Sequence, residues 1–521
     1  MLEGIVVKGP GSEPLKKTII NMIGENQENS NNYTAMTDAA GRFRLEKIEP
    51  GRYTVLLEKT GYVAVDAKRH ASSSILTVQA GKDLTDLVFR MLPTAVISGR
   101  VVDEDGDPMA GVQVSALRNS YRSGQRSLEV QASSGTDDLG EYRLSGLPPG
   151  KYIVAVTPAT NYRSLGMKDT SDTPDKPDLA YVTTYYPNTP DKTQAVAVQV
   201  HPGDEVPLSF NLVKINTFRV RGFITNPSKT NSKGVVVLRS DDSESVFNAA
   251  EVEKDGKFEL KSVAPGSYTA AFETADGGNT EVAQTSVVVT NADVDNLVLA
   301  LATPARIQGR VQVEGTFKLD QNEVWVSLNR SNGPDGQASW WPKQEESSVV
   351  GKDGTFEIKN VFPGIYDVQV TCASSKGFFA KRITDGGKDV AESSLRVSGG
   401  ANIAVDVLLA SDGATVDGIV TDAQNKPEPN VTVVAVPDAD HRKHLARFVK
   451  ANTDQQGRFV MKAIPPGDYT LVAWEEIEDG AYYDPEVLKK DEGSGKRMTL
   501  TPQSHQSIAL KAIPAEEEHQ P

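Results

Sequence analysis

Cysteine is almost missing from this chain: Cys372 is the one cysteine among 521 residues, so no intramolecular disulfide can form. Without a disulfide the chain lacks a common sign of secretion. Large β-sandwiches nevertheless contain enough hydrophobic core to fold without covalent links. Long apolar runs are also missing, and none approaches the roughly 20 residues of a membrane-spanning helix. Six histidines and one cysteine leave little material for a metal centre or a catalytic triad.

Positive charge is scarce as well. The formal net charge is −15, and basic residues occur only in short groups such as Lys16-Lys17. A protein that binds the backbone of DNA or RNA needs a basic face, so the charge argues against nucleic acid as a partner.

A sequence motif, which we call the repeated phrase, recurs five times along the chain. It consists of a turn glycine, a strand that alternates aromatic, charged and aliphatic residues, and a Pro-Gly-x-Tyr sequence whose glycine lies ten positions after the first. Successive copies are about one β-sandwich apart along the chain. The turn glycines are Gly41, Gly140, Gly256, Gly354 and Gly457, and the tyrosines are Tyr53, Tyr152, Tyr268, Tyr366 and Tyr469.

Each part of the phrase has a physical role. The first glycine ends an Asp-rich turn, and the alternation after it predicts a strand with one face in a core. Pro-Gly predicts a second turn, because proline presets φ and glycine accepts positive φ. A tyrosine just after such a turn is typical of a tyrosine corner, with a buried ring and a hydroxyl that bonds to nearby backbone.

The pattern predicts an all-β protein of five tandem immunoglobulin-like Greek-key β-sandwich domains. Glycine-containing opening strands and apolar closing strands frame every copy, and spacers of a few residues predict an elongated, semi-rigid rod. The predicted domains are residues 1–93, 94–214, 215–302, 303–411 and 412–513, followed by an acidic flexible tail at 514–521.

Residues 99–152 resemble the carboxypeptidase regulatory-like domain. They contain Gly99-x-Val101-x-Asp103, then Asp137-x-x-Gly140-x-Tyr142, then Leu147-Pro148-Pro149-Gly150-Lys151-Tyr152. All five units carry the resemblance, and the second and fifth match best. The resemblance implies a transthyretin-like, or prealbumin-like, sandwich related to Cna-B-type repeats. It also implies no catalytic activity and a place in the bacterial envelope. The expected location is therefore extracellular, cell-surface or periplasmic, with a secretion signal encoded upstream of Leu2.

Adjacent aromatic residues in variable insertions are the candidate ligand-binding residues: Trp340, Trp341, Tyr185, Tyr186, Tyr482 and Tyr483. Flat aromatic faces stack on sugar rings, and some relatives in this fold bind carbohydrate. The alternative is that these rings pack on a sandwich or on its neighbour. Both interpretations are open at this stage.

Two clusters look like metal sites without meeting the requirements. His441 and His444 enclose two basic residues, which repel a cation, so we expect a solvated loop. Asp103, Asp105 and Asp107 alternate as in a calcium loop, but a proline occupies the position of the required glycine, so we expect a hairpin turn. We therefore expect no metal, no cofactor and no enzymatic activity.

Three functions fit the sequence. The first is a secreted or cell-surface structural or adhesive rod that presents loops for binding. The second is a carbohydrate-binding protein that uses the aromatic loops, and the third is a subunit of an extracellular filament. The candidate partners are polysaccharide, other envelope proteins, and further copies of the chain.

Overall fold

A computed structural model describes residues 1–9, 11–24, 31–64, 73–122, 124–158, 178–225, 234–240, 246–274, 282–314, 324–330, 347–372, 377–390 and 394–515. Strands dominate this part of the chain, and they form sheets that face each other in pairs. Among the described residues, one large cluster of buried hydrophobic side chains lies between the two sheets of each pair. The described residues therefore form five β-sandwiches in succession.

The strands of the first sandwich are β1 (Leu2–Lys8), β2 (Glu13–Pro14), β3 (Ile19–Gly24), β4 (Tyr33–Met36), β5 (Arg42–Leu45), β6 (Gly51–Glu58), β7 (Tyr62–Ala64), β8 (Ser73–Val78) and β9 (Leu84–Pro93). One sheet has the order β2-β1-β9-β7, with β5 also paired to β1. The other has the order β4-β3-β6-β8, which leaves β8 at an edge.

The strands of the second segment are β10 (Ala95–Val102), β11 (Gln113–Arg122), β12 (Gln125–Gly135), β13 (Glu141–Leu147), β14 (Gly150–Thr157), β15 (Asp178–Tyr181), β16 (Thr184–Tyr185), β17 (Val198–Val200), β18 (Glu205–Pro207) and β19 (Phe210–Asn211). The second sandwich pairs the sheet β13-β10-β18, joined by β19, with the sheet β12-β11-β14-β16, joined by β17. A 3-10 turn at Lys192–Gln194 precedes β17.

The third sandwich contains β20 (Lys214–Thr225), β21 (Gly234–Ser240), β22 (Val246–Glu251), β23 (Lys257–Val263), β24 (Gly266–Thr274), β25 (Val282–Val289) and β26 (Val294–Ala300). Its sheets are β15-β20-β23, joined by β26, and β22-β21-β24-β25. Strand β15 comes from the preceding segment, so the second and third units share a sheet.

The fourth sandwich contains β27 (Ala305–Val313), β28 (Val324–Arg330), β29 (Ser347–Val349), β30 (Thr355–Val361), β31 (Gly364–Cys372), β32 (Phe379–Asp385), β33 (Lys388–Asp389), β34 (Leu395–Val397) and β35 (Asn402–Ala410). Its sheets have the orders β30-β27-β35-β32-β33 and β29-β28-β31-β34.

The fifth sandwich contains β36 (Ala414–Thr421), β37 (Thr432–Pro437), β38 (Val449–Asn452), β39 (Arg458–Ile464), β40 (Gly467–Trp474), β41 (Lys496–Leu500) and β42 (His505–Lys511). Its sheets are β39-β36-β42 and β38-β37-β40-β41. Helix α1 (Pro485–Asp491) and 3-10 turns at Ala439–His441, Leu445–Arg447, Ala481–Tyr483 and Glu492–Ser494 complete the unit. Of the predicted tail, the described residues end at Ala515.

All five sandwiches share one connectivity, which explains the opening glycines. The opening strand pairs antiparallel with the strand of the repeated phrase and parallel with the closing strand. A Cβ on Gly418 would lie 2.1 Å from the Ile508 carbonyl oxygen and 2.8 Å from the Phe459 ring. In the other four units a Cβ on the opening glycine would lie 1.7–2.5 Å from a closing-strand carbonyl oxygen, and in three of them it would also meet a buried phenylalanine ring, so only glycine fits.

The tyrosine after Pro-Gly is a buried anchor in each unit. In four of them its hydroxyl donates to the carbonyl oxygen four residues earlier, at 2.6–2.9 Å. Tyr469 differs, because its hydroxyl has no such bond and faces the Arg447 guanidinium. Burial raises the pKa of Tyr469 to about 12, and Arg447 opposes that rise. The predicted tyrosine corner is thus a feature of the fold.

The Asp-rich turns are closed by their own side chains. In the first, second and fifth units the aspartate accepts two backbone N–H bonds, as Asp137 does from Leu139 and Glu141 at 3.0 and 2.8 Å. Asp103 does the same for the amides of Asp105 and Asp107. One of its carboxylate oxygens is therefore used by the turn itself, as expected of a plain hairpin.

The joints between sandwiches are short, but the units do not extend end to end. Strand β9 ends at Pro93 and β10 begins at Ala95, and β20 runs unbroken from the second joint into the third sandwich. The fifth sandwich nevertheless hydrogen-bonds to the first through Gln455 and Thr77. The β-sandwich fold class is confirmed. The units were predicted to form an elongated rod, but hydrogen bonds between the first and fifth sandwiches bring the two ends of the row together.

Candidate functional site: contact surfaces of the fifth sandwich

Tyr185 and Tyr186 pack on their own sandwich. Tyr185 lies on β16, which pairs with β14, and only 7 % of it is exposed. The Tyr186 ring meets the buried Phe210 ring edge to face at 6.3 Å. Tyr185 is buried and Tyr186 is half-buried against Phe210, which is the packing alternative, and ligand stacking on these two rings stays a prediction.

Tyr482 and Tyr483 belong to a second apolar layer on the fifth sandwich. Their ring centroids are 4.6 Å apart, and Phe448 lies 4.9 Å from Tyr483. Tyr482 is 4 % exposed and donates to Asp479 at 2.7 Å. The insertion that carries them, with Leu488 of α1, therefore covers the outer face of β37 and β40.

This cover explains the composition of β37. Val433 and Ala435 face the main core, whereas Val434 and Val436 face the insertion. A strand covered on both faces is apolar throughout instead of alternating. The insertion that carries Tyr482 and Tyr483, which the sequence indicated as a candidate binding loop, packs on its own sandwich in this structure.

Trp340 and Trp341 lie outside the described residues. A sugar stacked on them remains a prediction. His441 contacts Asp438, and Arg442 donates to Glu492 at 2.5 Å, so the Arg442 ion pair ties this basic segment to the fifth sandwich. Within the described residues, no group of three or more His, Cys, Asp or Glu side chains could hold a metal ion, and no helix is long and apolar enough to cross a membrane.

A long hairpin of the second sandwich reaches the fifth. Gly124 lies next to the start of β12, and a Cβ on Gly124 would lie 2.9 Å from the backbone of Tyr483. A Cβ on Gly480 would likewise lie 2.7 Å from the Tyr121 carbonyl oxygen. Arg126 adds an ion pair to Asp484 at 3.7 Å. Tyr121, Gly124 and Arg126 therefore join the second sandwich to the fifth.

A second contact joins the fifth sandwich to the first. The Gln455 side-chain oxygen accepts from the Thr77 N–H at 3.0 Å, and its amide nitrogen donates to the Thr77 carbonyl at 3.0 Å. The Thr77 hydroxyl donates to Asp454 at 2.8 Å, and Arg52 donates to the Asn452 carbonyl at 2.5 Å. We call these four bonds the clasp.

The turn aspartate that takes part in the clasp is buried, unlike its counterparts in the first two units. Asp454 is 3 % exposed, whereas Asp38 and Asp137, at the same turn position in the first and second units, are exposed. Beside the clasp lies a cavity of about 270 Å³, lined by Ser74, Ile75 and Arg90 of the first sandwich and by Pro429, Asn430 and Gln455 of the fifth, among others.

The joint between the second and third units is also fixed by side chains. Glu104 accepts from Lys214 at the start of β20 and from the Tyr181 hydroxyl at 2.6 Å. The Lys214 bond, followed by the Tyr181 bond, lowers the pKa of Glu104 to about 2. The pair is exposed, so its contribution is orientation more than stability.

Two of the units match the model of a known protein family. Residues 96–175 and 415–494 match the family model of the carboxypeptidase regulatory-like domain. The second and fifth sandwiches are carboxypeptidase regulatory-like domains. These are the two units whose motifs resembled that family most in the sequence, so the recognition is confirmed there. No curated protein matches the chain.

Solved structures with similarity to the chain include several bacterial pilins. The minor pilin GBS52 of Streptococcus agalactiae is 15 % identical over 42 % of this chain and 98 % of its own, with a TM-score of 0.22. The major pilin subunit BcpA of Bacillus cereus is 13 % identical over 61 % and 99 %, with a TM-score of 0.16. The Bacillus anthracis TIE protein is 10 % identical over 96 % and 75 %, with a TM-score of 0.17. Scores this low carry no argument about assembly or function.

Sequence reasoning missed the clasp, although one signal was present. The residue after the turn aspartate is Ala39 in the first unit, Asp138 in the second and Gln455 in the fifth. A carboxamide both donates and accepts, which neither alanine nor an ionised aspartate side chain does. Comparing the three copies of this turn singles out Gln455, but its partner Thr77 follows only from the tertiary arrangement.

Proposed function

We propose that the chain is a non-catalytic structural scaffold on the outside of a bacterial cell, which presents the loops of its sandwiches to partners. The observation that carries this proposal is the set of contacts between units: the shared sheet of β15 and β20, the hairpin on Tyr483, and the clasp. Flexible linkers would let five domains tumble independently, whereas these contacts hold loops at fixed relative positions.

The recurrent residues support the same proposal. The turn aspartates, corner tyrosines and opening glycines are occupied by folding, which leaves the variable loops as the surface available for binding. The location rests on the resemblance to envelope proteins of the carboxypeptidase regulatory-like family. Carbohydrate binding is a narrower version of the proposal and depends on Trp340 and Trp341.

Two measurements test the scaffold. Negative-stain microscopy of the purified full chain should give one reproducible multi-lobed particle, and a string of independently oriented beads would contradict a rigid scaffold. Antibodies against the folded chain should label intact cells of the source organism. Labelling that appears only after lysis would contradict the proposed location.

A further inference from the structure

Among the described strands, β8 ends its sheet and lacks the residues that usually protect an edge. It is the last strand in the order β4-β3-β6-β8, and its sequence Ser-Ser-Ile-Leu-Thr-Val contains no charge and no proline. Edge strands expose backbone donors and acceptors that recruit other strands, and proteins commonly blunt them with lysine, proline or bulges. The edge strand β41 of the fifth sandwich begins with Lys496 and Arg497, whereas β8 has no such residue.

Gln455 occupies the place of a neighbouring strand. On one side of β8, Thr77 is paired with Arg52 of β6. On the other side, both the N–H and the C=O of Thr77 bond to the Gln455 carboxamide. An antiparallel strand would offer the same pair of bonds to a residue in this position. One side chain therefore closes the hydrogen-bonding position nearest the end of β8.

The outward face of β8 is covered too. Leu76 and Val78 face the core of the first sandwich, and alternation turns Ile75 to the opposite face. Ile75 is nevertheless only 7 % exposed, and it lines the cavity shared with Pro429 and Asn430. Departure of the fifth sandwich would expose an apolar side chain next to a free edge.

We propose that β8 is a strand-addition surface for a second copy of this chain, and that Gln455 keeps it closed within each copy. The occupant follows from the strand itself. An uncharged strand meets its own copy across a two-fold axis without repulsion, and antiparallel β8–β8 pairing satisfies the same groups on both sides. This inference is independent of the scaffold role and of any ligand.

The test compares full-length variants by sedimentation velocity over a range of concentrations. Gln455→Ala installs the residue that the first unit has at this turn position and removes the carboxamide. Asp138→Ala is the matched control, because it makes the same kind of change at the exposed turn of the second unit. We expect Gln455→Ala to dimerise at least tenfold more tightly than the unmodified chain, and Asp138→Ala to match the unmodified chain.

A second change identifies the surface. Ile75→Lys in the Gln455→Ala background puts a charge on β8, and two copies would then meet with like charges. We expect it to return dimerisation to the level of the unmodified chain. Hydrogen exchange of the β8 amides, measured in the same samples below the dimerisation range, should show that Gln455→Ala has opened the clasp.

Three results would overturn the proposal. The first is a monomeric Gln455→Ala chain whose β8 amides exchange freely, because the open edge then recruits nothing. The second is unchanged protection of β8 in Gln455→Ala, because the carboxamide then does not close it. The third is dimerisation that Ile75→Lys leaves intact, because pairing then uses another edge, such as the uncharged strand β25.

Discussion

The contribution of a corner tyrosine's hydroxyl to stability can be measured apart from that of its ring by comparing two units of this one chain. The Tyr152 hydroxyl donates to the Pro148 carbonyl at 2.6 Å, whereas the Tyr469 hydroxyl has no equivalent bond. Both rings are buried, and an arginine, Arg118 or Arg447, lies near each hydroxyl. Replacing each tyrosine with phenylalanine therefore removes a backbone hydrogen bond in the second sandwich but not in the fifth.

The magnitudes follow from this geometry. Loss of one buried hydrogen bond should lower the stability of the second sandwich by about 1 kcal/mol for Tyr152→Phe. Tyr469→Phe should leave the stability of the fifth sandwich nearly unchanged, because it removes no such hydrogen bond. Removing the ring in Tyr152→Ala should cost about 3–5 kcal/mol, since Tyr152 is 0 % exposed and a large cavity remains.

Hydrogen exchange with mass spectrometry measures each sandwich separately in the intact chain, which a global melting curve of several domains does not. A loss of about 1 kcal/mol should speed exchange of the most protected β14 amides roughly fivefold in Tyr152→Phe. Equal acceleration in the β40 amides of Tyr469→Phe would refute the assignment to the backbone bond. Unchanged β14 exchange in Tyr152→Ala would refute the anchor itself.

Three further predictions concern the same fold, and a fourth concerns ligand binding. Gly418→Ala should destabilise the fifth sandwich by about 1–3 kcal/mol, because its Cβ would meet the closing strand, and faster β42 exchange would show it. Tyr482→Ala should destabilise the same unit by about 3–5 kcal/mol, and an unchanged β40 would mean that the ring is no part of the core. The raised pKa of Tyr469 contributes stability that is complete below pH 10 and is lost as pH rises towards 12, so exchange should accelerate in that window and less in Tyr469→Phe. If polysaccharide binding is found, Trp340→Ala with Trp341→Ala should weaken it by about 1–2 kcal/mol in calorimetry, and equal affinity would exclude these rings.

The sequence by itself determined the features that depend on local chemistry. Positive φ at Gly140, period-two alternation before Tyr152 and the Asp137 turn are decided by neighbouring residues, so repetition alone identified the strands and corners. The opening glycines were visible as a pattern. Their reason, the approach of Ile508 to Gly418, needed the pairing of the first and last strands.

Only the tertiary structure decided how the units meet. The aromatic insertion around Tyr482 looked like a binding loop, because sequence does not say whether an apolar surface is covered by its own domain. Gln455 and Thr77 lie 378 positions apart, and their contact depends on the summed angles of the joints between them. Local propensity fixes each sandwich, whereas long-range packing sets which edges are closed and which loops are free.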